Sequence, residues 1–123
     1  MTDLKTPAVY IPHGGGPCFF MEWNPAEMWD EMGAYLKRLP ADVGARPKAI
    51  LVVSAHWEAP EFTVQTKPAP GMLFDYYGFP PHTYELNYPA PGSLSLAARV
   101  RELAAAAGIV VAEDSERDFD HGV

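Results

Sequence analysis

Cysteine is nearly absent: Cys18 stands alone among 123 residues, which excludes an internal disulfide framework. A packed thiol is the simplest reading of it. Basic residues are also scarce. Nine Lys plus Arg face 16 Asp plus Glu, a formal net charge of -7, and that balance disfavours nucleic acid and anionic membrane surfaces as partners. No stretch approaches the roughly 18–20 apolar residues of a membrane span. Met1 to Ile11 carries Asp3 and Lys5 and holds no apolar run long enough for a signal peptide, so a cytoplasmic location is the simplest expectation. Gly14-Gly15-Gly16 lacks the Gly-Lys-Ser/Thr that completes a P-loop. The dinucleotide fingerprint lacks its second and third glycines, and Ser54 lacks the flanking glycines of a nucleophile elbow. No internal repeat is present.

What the chain does hold is enough apolar material, 48% of its residues, for one modest α/β core. Ala8-Val9-Tyr10-Ile11 reads as a short strand running into Pro12-His13-Gly14-Gly15-Gly16-Pro17, a loop whose backbone can approach a ligand closely. Asn24 and Pro25 open a predicted helix with Met28, Met32, Leu36 and Leu39 as its apolar stripe, ended by Pro40. Ala49-Ile50-Leu51-Val52-Val53 is unbroken rather than alternating, the pattern of an inner strand covered on both faces. Phe62 to Thr66 predicts another short strand. Lys67 to Gly92 holds six of the 13 prolines with aromatics scattered among them, and predicts a long ordered loop with one helical turn. Ser93 caps a second predicted helix with Leu96, Val100, Leu103 and Ala107 on its buried face and Gly108 just past its end. Ile109-Val110-Val111 is then a strand. The order predicts an α/β fold with a mostly parallel or mixed central sheet flanked by helices, in a single domain that looks cut short.

Four histidines are the candidates for chemistry. His13 and His56 each follow directly from a predicted strand, and ligands of open α/β sheets bind beyond the carboxyl ends of strands. Neutral imidazole suits iron(II) and zinc. Two histidines do not fill a coordination sphere, and Glu58, Asp75, Asp120 and His121 are all candidates for a third ligand. The 43-residue gap between His13 and His56 matches no compact zinc motif. Asp120 beside His121 is poorly placed to fix its tautomer, since adjacent residues rarely do so. His82, in the aromatic loop, reads as structural or exposed, with a pocket residue as the alternative.

Five pieces, in order, then resemble one family. They are Ile11-Pro12-His13-Gly14-Gly15-Gly16-Pro17, Val52-Val53-Ser54-Ala55-His56-Trp57, Tyr77-Gly78-Phe79-Pro80-Pro81, Tyr88-Pro89-Ala90-Pro91-Gly92-Ser93 and Phe119-Asp120-His121-Gly122. Together they are similar to the class III extradiol ring-cleavage dioxygenases, in the small branch similar to DOPA 4,5-dioxygenase. The resemblance implies that His13 and His56 bind the metal, iron(II) first and zinc(II) as the alternative. It implies that His121 lines the substrate pocket as a catalytic residue. The substrates it implies are a small aromatic diol and dioxygen, and Phe74 to Tyr88 would wall a planar ring or pack as a lid. It also implies that residues 1–123 are the N-terminal half of the catalytic domain. The third ligand and a proton-transfer histidine then belong to a later half, so this stretch alone is expected to show little or no ring-cleavage activity and to associate with itself or with a chain carrying that half. A zinc-dependent hydrolase and a non-catalytic metal-binding or structural relative are the alternatives.

Overall fold

The computed structural model describes residues 5–44 and 46–123. Met1 to Leu4, part of the stretch read above for a signal peptide, and Ala45 lie outside the described residues. The chain forms two compact units, Met1–Ile50 and Leu51–Val123, and α/β is its class, as the order of elements predicts. Among the described residues no helix is long and apolar enough to cross a membrane.

The first unit is built around the Gly-rich loop and one helix. A 3-10 turn, Cys18–Phe20, is closed by the Phe20 N–H on the Pro17 carbonyl at 2.9 Å. Trp23 donates its Nε1–H to the Cys18 carbonyl at 2.7 Å and meets Trp29 edge-on at 5.8 Å. Helix α1 spans Asp30–Val43. It starts five residues later than Pro25, because residues 25–30 form three-residue turns instead. The Met28 N–H reaches the Pro25 carbonyl at 3.3 Å and the Asp30 N–H reaches Glu27 at 3.0 Å, and the helical ladder begins with Gly33 on Trp29 at 2.9 Å. Asp30 and Glu31 then lie in the first turn, where carboxylates suit the helix dipole.

Pro40 does not end α1. It sits in the last two turns, where a missing N–H removes one bond of an already formed ladder, and the helix runs on to Val43. Gly44, at φ 78°, stops it. Of the predicted stripe, Met32, Leu36 and Leu39 are half-buried and Met28 is exposed.

Ala8–Ile11 is not a strand, and Tyr10 is 97% exposed. The expectation of an inner strand at Ile50–Val53 is likewise overturned. Ile50 is 70% exposed and Val53 91%, in a segment with no regular structure. An unbroken apolar run encodes a demand for cover on both faces. It does not supply the neighbouring strands that a ladder needs, and among the described residues the two-stranded sheet pairs other segments.

The second unit contains that sheet. Strand β1, Thr63–Gln65, lies parallel to β2, Ala112–Asp114, with Thr63 opposite Ala112 and Gln65 opposite Asp114. Helix α2, Leu94–Ala106, crosses between them and packs on β1, so the unit is one β-α-β crossover. Ser93 caps α2 as predicted, its Oγ accepting the Leu96 N–H at 3.3 Å. Leu96 and Val100 face inward and Ala97 is buried, whereas Leu103 and Ala107 are exposed.

The second strand falls three residues beyond its predicted place, and the helix end explains the shift. The Gly108 N–H bonds the Ala105 carbonyl at 3.0 Å and the Ile109 N–H bonds Ala104 at 2.9 Å, with Gly108 at φ 77°. This paired termination consumes the backbone of Ile109, and pairing starts only after it. Between the strands, Lys67 to Gly92 is the long ordered loop expected, with one 3-10 turn at Pro81–Glu85.

Two carboxylates pin the turn after β2. Asp114 accepts the N–H groups of Glu116 at 2.9 Å and Arg117 at 2.8 Å. Asp118 takes Lys67 Nζ at 2.6 Å and the Gly71 N–H at 2.7 Å. The Glu116 and Arg117 amides hold Asp114 below the ordinary carboxyl value of 3.8, and the Lys67 ammonium with the Gly71 amide does the same for Asp118. A folded-state value below the unfolded one means a stabilisation that is complete above 3.8 and fades as the pH falls through the lowered values. Urea midpoints should therefore stay level from about pH 7 to 5 on account of these groups and fall below about pH 4. A midpoint that holds constant to pH ~2 would remove both carboxylates from the account.

Candidate metal centre

His13 is positioned by the first unit. It follows Pro12 in the Gly-rich loop, its side chain is exposed, and its Nδ1 lies 2.8 Å from the Gly14 carbonyl. A carbonyl only accepts, so that contact places a proton on Nδ1. Gly14 is itself buried, with Cys18 Sγ and the Trp29 ring against its Cα. Burial pushes the Cys18 thiol up, which suits a packed group and not a thiolate ligand or nucleophile.

His56 and His121 come together in the second unit. Their ring centroids are 4.0 Å apart with the planes tilted by 39°. Each offers a ring nitrogen, and these lie within 4.8 Å of one another. Two metal–nitrogen bonds of about 2.1 Å span nearly that distance, so the donor set fits a shared divalent ion.

The loops that carry the two rings are tied by one buried carboxylate. Asp120 is 4% exposed. Its Oδ1 accepts the Ser54 hydroxyl at 2.8 Å and the Gly122 N–H at 2.8 Å, and its Oδ2 takes Arg117 Nη2 at 3.0 Å. Ser54 Oγ in turn accepts the His56 N–H at 3.2 Å. The Arg117 guanidinium stacks over Trp57 at 4.8 Å from the ring centroid. Ser54, His56 and Trp57 of one sequence piece are thus joined to Asp120, His121 and Gly122 of another.

Gly122 has a steric role here. A Cβ on it would stand 2.9 Å from His56 Cδ2 and 3.0 Å from Ser54 Oγ. Gly122→Ala should displace the His56 ring and cost about 1–3 kcal/mol through overpacking. Thermal unfolding and divalent-metal titration read the two effects separately, and an unchanged variant in both would show the loop to be compliant.

Asp75 holds His121 from the other side. Its Oδ1 lies 2.8 Å from His121 Nδ1 and accepts the His121 N–H at 3.0 Å. Burial pushes the Asp75 carboxyl up, but the His121 ring and backbone bonds outweigh it and keep it below the ordinary value. The Tyr76 and His121 rings stand nearly perpendicular with their centroids 6.1 Å apart. Tyr76 also packs on Phe74, Phe79 and Tyr84, and its hydroxyl reaches the Thr83 carbonyl at 2.5 Å. The aromatic loop therefore packs on itself and meets the centre through Tyr76. His82 is exposed in its 3-10 turn, and Glu58 is exposed as well.

Of the four candidates for a third ligand, His121 is the one whose ring joins His56. Asp75 and Asp120 are engaged as acceptors of hydrogen bonds. The sequence ranked none of the four, and it missed the Ser54–Asp120 link, whose partners are 66 residues apart.

The paired imidazoles on the loops of this parallel β-α-β unit can coordinate a divalent metal. The chain belongs to the family described as the catalytic LigB subunit of aromatic ring-opening dioxygenase, which matches residues 7–123. It is 39% identical over 124 residues to the 4,5-DOPA dioxygenase extradiol of Escherichia coli (strain K12), covering 99% of this chain and 42% of that protein. It is 37% identical over 123 residues to the dioxygenase tasH of Hapsidospora irregularis, covering 95% of this chain and 37% of the relative. A 4,5-DOPA dioxygenase extradiol of Beta vulgaris is 44% identical over 78 residues, 63% of this chain and 29% of the relative. The chain thus spans well under half the length of these curated relatives. Family and histidine chemistry together support an extradiol-type site that takes a divalent metal.

Proposed function

We propose that this chain carries the metal-binding half of an extradiol dioxygenase centre that opens catechol-type rings with dioxygen. The observation that carries the reading is the His56–His121 ring pair inside a chain of the ring-opening family. His13 and His56 hold the ion through imidazole nitrogens, and iron(II) is the metal we favour over zinc(II). When bound, that metal supplies chelation of the two diol oxygens and activation of dioxygen. His121, at the side of His56, faces the substrate and moves protons. Tyr76 limits the space beside His121 and helps exclude water.

The family resemblance draws a third ligand and a further proton-transfer group from outside these residues, so residues 1–123 alone should show little or no turnover. Leu51, Val52 and Val53 leave apolar side chains in solvent, which supports association with a second copy or with a chain bearing the remaining length.

The test is anaerobic loading with iron(II) or zinc(II), metal analysis, then addition of oxygen and a catechol panel, followed for the yellow ring-opened product. One ion per chain is the expected result, with little or no ring-opened product and what product forms confined to the iron-loaded protein. A protein that binds neither ion, or one that is active only with zinc and only on hydrolysable esters, would overturn the reading.

A further inference from the structure

Asp75 sits beside the centre in a role that neither the ligand count nor the packing assigns. Its segment is laced to the strand-like stretch before His121. Met72 forms a parallel bridge with Phe119, the Leu73 N–H bonds the Phe119 carbonyl at 2.7 Å, and the Phe119 N–H bonds Gly71 at 3.0 Å. Asp75 lies three residues past Met72 and His121 two past Phe119, so the bridge brings the two segments side by side. There one carboxylate oxygen receives two groups of the same residue, the backbone N–H at 3.0 Å and the ring Nδ1 at 2.8 Å. The side chains of His121 and Asp75 are 15% and 22% exposed, so water competes weakly for the contact.

We propose that Asp75 is a positioning residue that fixes His121 in its Nδ1–H tautomer, so that in the neutral ring Nε2 carries the lone pair. An ionised carboxylate can only accept, so a ring nitrogen 2.8 Å from it must donate. The backbone bond to the same oxygen removes the freedom to rotate away. His56 beside the ring at 4.0 Å and Tyr76 nearly perpendicular to it at 6.1 Å, both between centroids, set the remaining angle. Orientation of an active imidazole by an acceptor on its far nitrogen is a general device of histidine sites. Here the acceptor is 46 residues away in the chain, not the adjacent Asp120, whose oxygens are committed to Ser54, Gly122 and Arg117. The functional meaning of a lone pair on Nε2 rests on the metal-centre reading above. The tautomer itself does not.

The experiment uses the metal-free, nitrogen-15-labelled protein at about pH 8, above the ordinary histidine range near 6.5. Two-bond proton–nitrogen correlations report which ring nitrogen of His121 bears hydrogen. The expected result is the Nδ1–H form in the unaltered protein and in Asp75→Asn, whose amide oxygen can accept the same two bonds. Asp75→Ala should move the proton to Nε2. A His121 that is Nε2–H in the unaltered protein overturns the proposal, and so does a tautomer unchanged in a folded Asp75→Ala. Should Asp75→Ala not fold, the unaltered protein and the Asp75→Asn rescue still decide it. A protein with the stated tautomer that binds neither iron nor zinc would instead sink the metal-centre reading and leave this assignment standing.

Discussion

Asp120→Ala should be the most destabilising single substitution on the loops of the second unit. The carboxylate is 4% exposed and serves the Ser54 hydroxyl, the Gly122 N–H and the Arg117 guanidinium at 2.8, 2.8 and 3.0 Å. Removing it leaves a part-buried guanidinium without its counter-charge and two donors without their acceptor. Breaking a buried ion pair from one side costs about 3–5 kcal/mol. The Arg117 side chain keeps 19% exposure and its place over Trp57, so water recovers part of that cost and we expect about 3 kcal/mol. For a chain of this size that is a fall in Tm on the order of 10–20 °C. Asp120→Asn keeps an acceptor for Ser54 and Gly122 and loses the charge, and should fall between the two. Ser54→Ala removes one bond and should cost only about 1 kcal/mol. Thermal unfolding by circular dichroism checks the series, and an Asp120→Ala protein within about 1 kcal/mol of the parent would show that Arg117 and Ser54 find other partners.

Local chemistry was legible in the sequence. Ser93 as a cap, Gly108 as a stop and the single turn in the aromatic loop are each set by one or two neighbouring residues, and each lies where the sequence places it. Non-local pairing was not legible. Val52 and Val53 carry a stronger strand signal than Thr63–Gln65, yet the ladder forms on the latter, because its partner Ala112–Asp114 is delivered by the α2 crossover. The β2 shift has the same root: Ile109 is apolar enough for a strand, but its N–H is spent on the Ala104 carbonyl.

The site shows a parallel division. The histidines were singled out by motif order, while the strands predicted to end before His13 and His56 do not form. The histidines' supports, Asp75 for His121 and Asp120 for the His56 loop, could not be read, since the partners lie 46 and 66 residues apart and nothing local marks them. Asp120 was visible as a neighbour of His121 and as one of four candidates for a third ligand. Its work is to bind the other loop, and that is a property of the fold.

His56→Ala should have the opposite profile to Asp120→Ala: metal binding lost, stability kept. The His56 side chain is exposed, and its backbone N–H bond to Ser54 Oγ survives truncation. Exposed substitutions away from a buried network usually stay within about 0.5 kcal/mol, so Tm should barely move. The ring is nevertheless the His121-facing donor of the proposed centre, at 4.0 Å between centroids. Loss of a group that merely supports a ligand costs about 10–100-fold in metal affinity or activity. Loss of a ligand from a set of two or three imidazoles should exceed that, by more than roughly a hundredfold. On the proposed function, in which His13 and His56 hold one ion, His13→Ala should match it. His82→Ala, in the exposed 3-10 turn, serves as the control and should leave affinity unchanged. Competition titration of iron(II) and zinc(II) against a chelating dye, run with the thermal melts, reads both quantities on the same preparations. A folded His56→Ala protein that binds iron(II) as tightly as its parent would place the ion elsewhere and remove His56 from the centre.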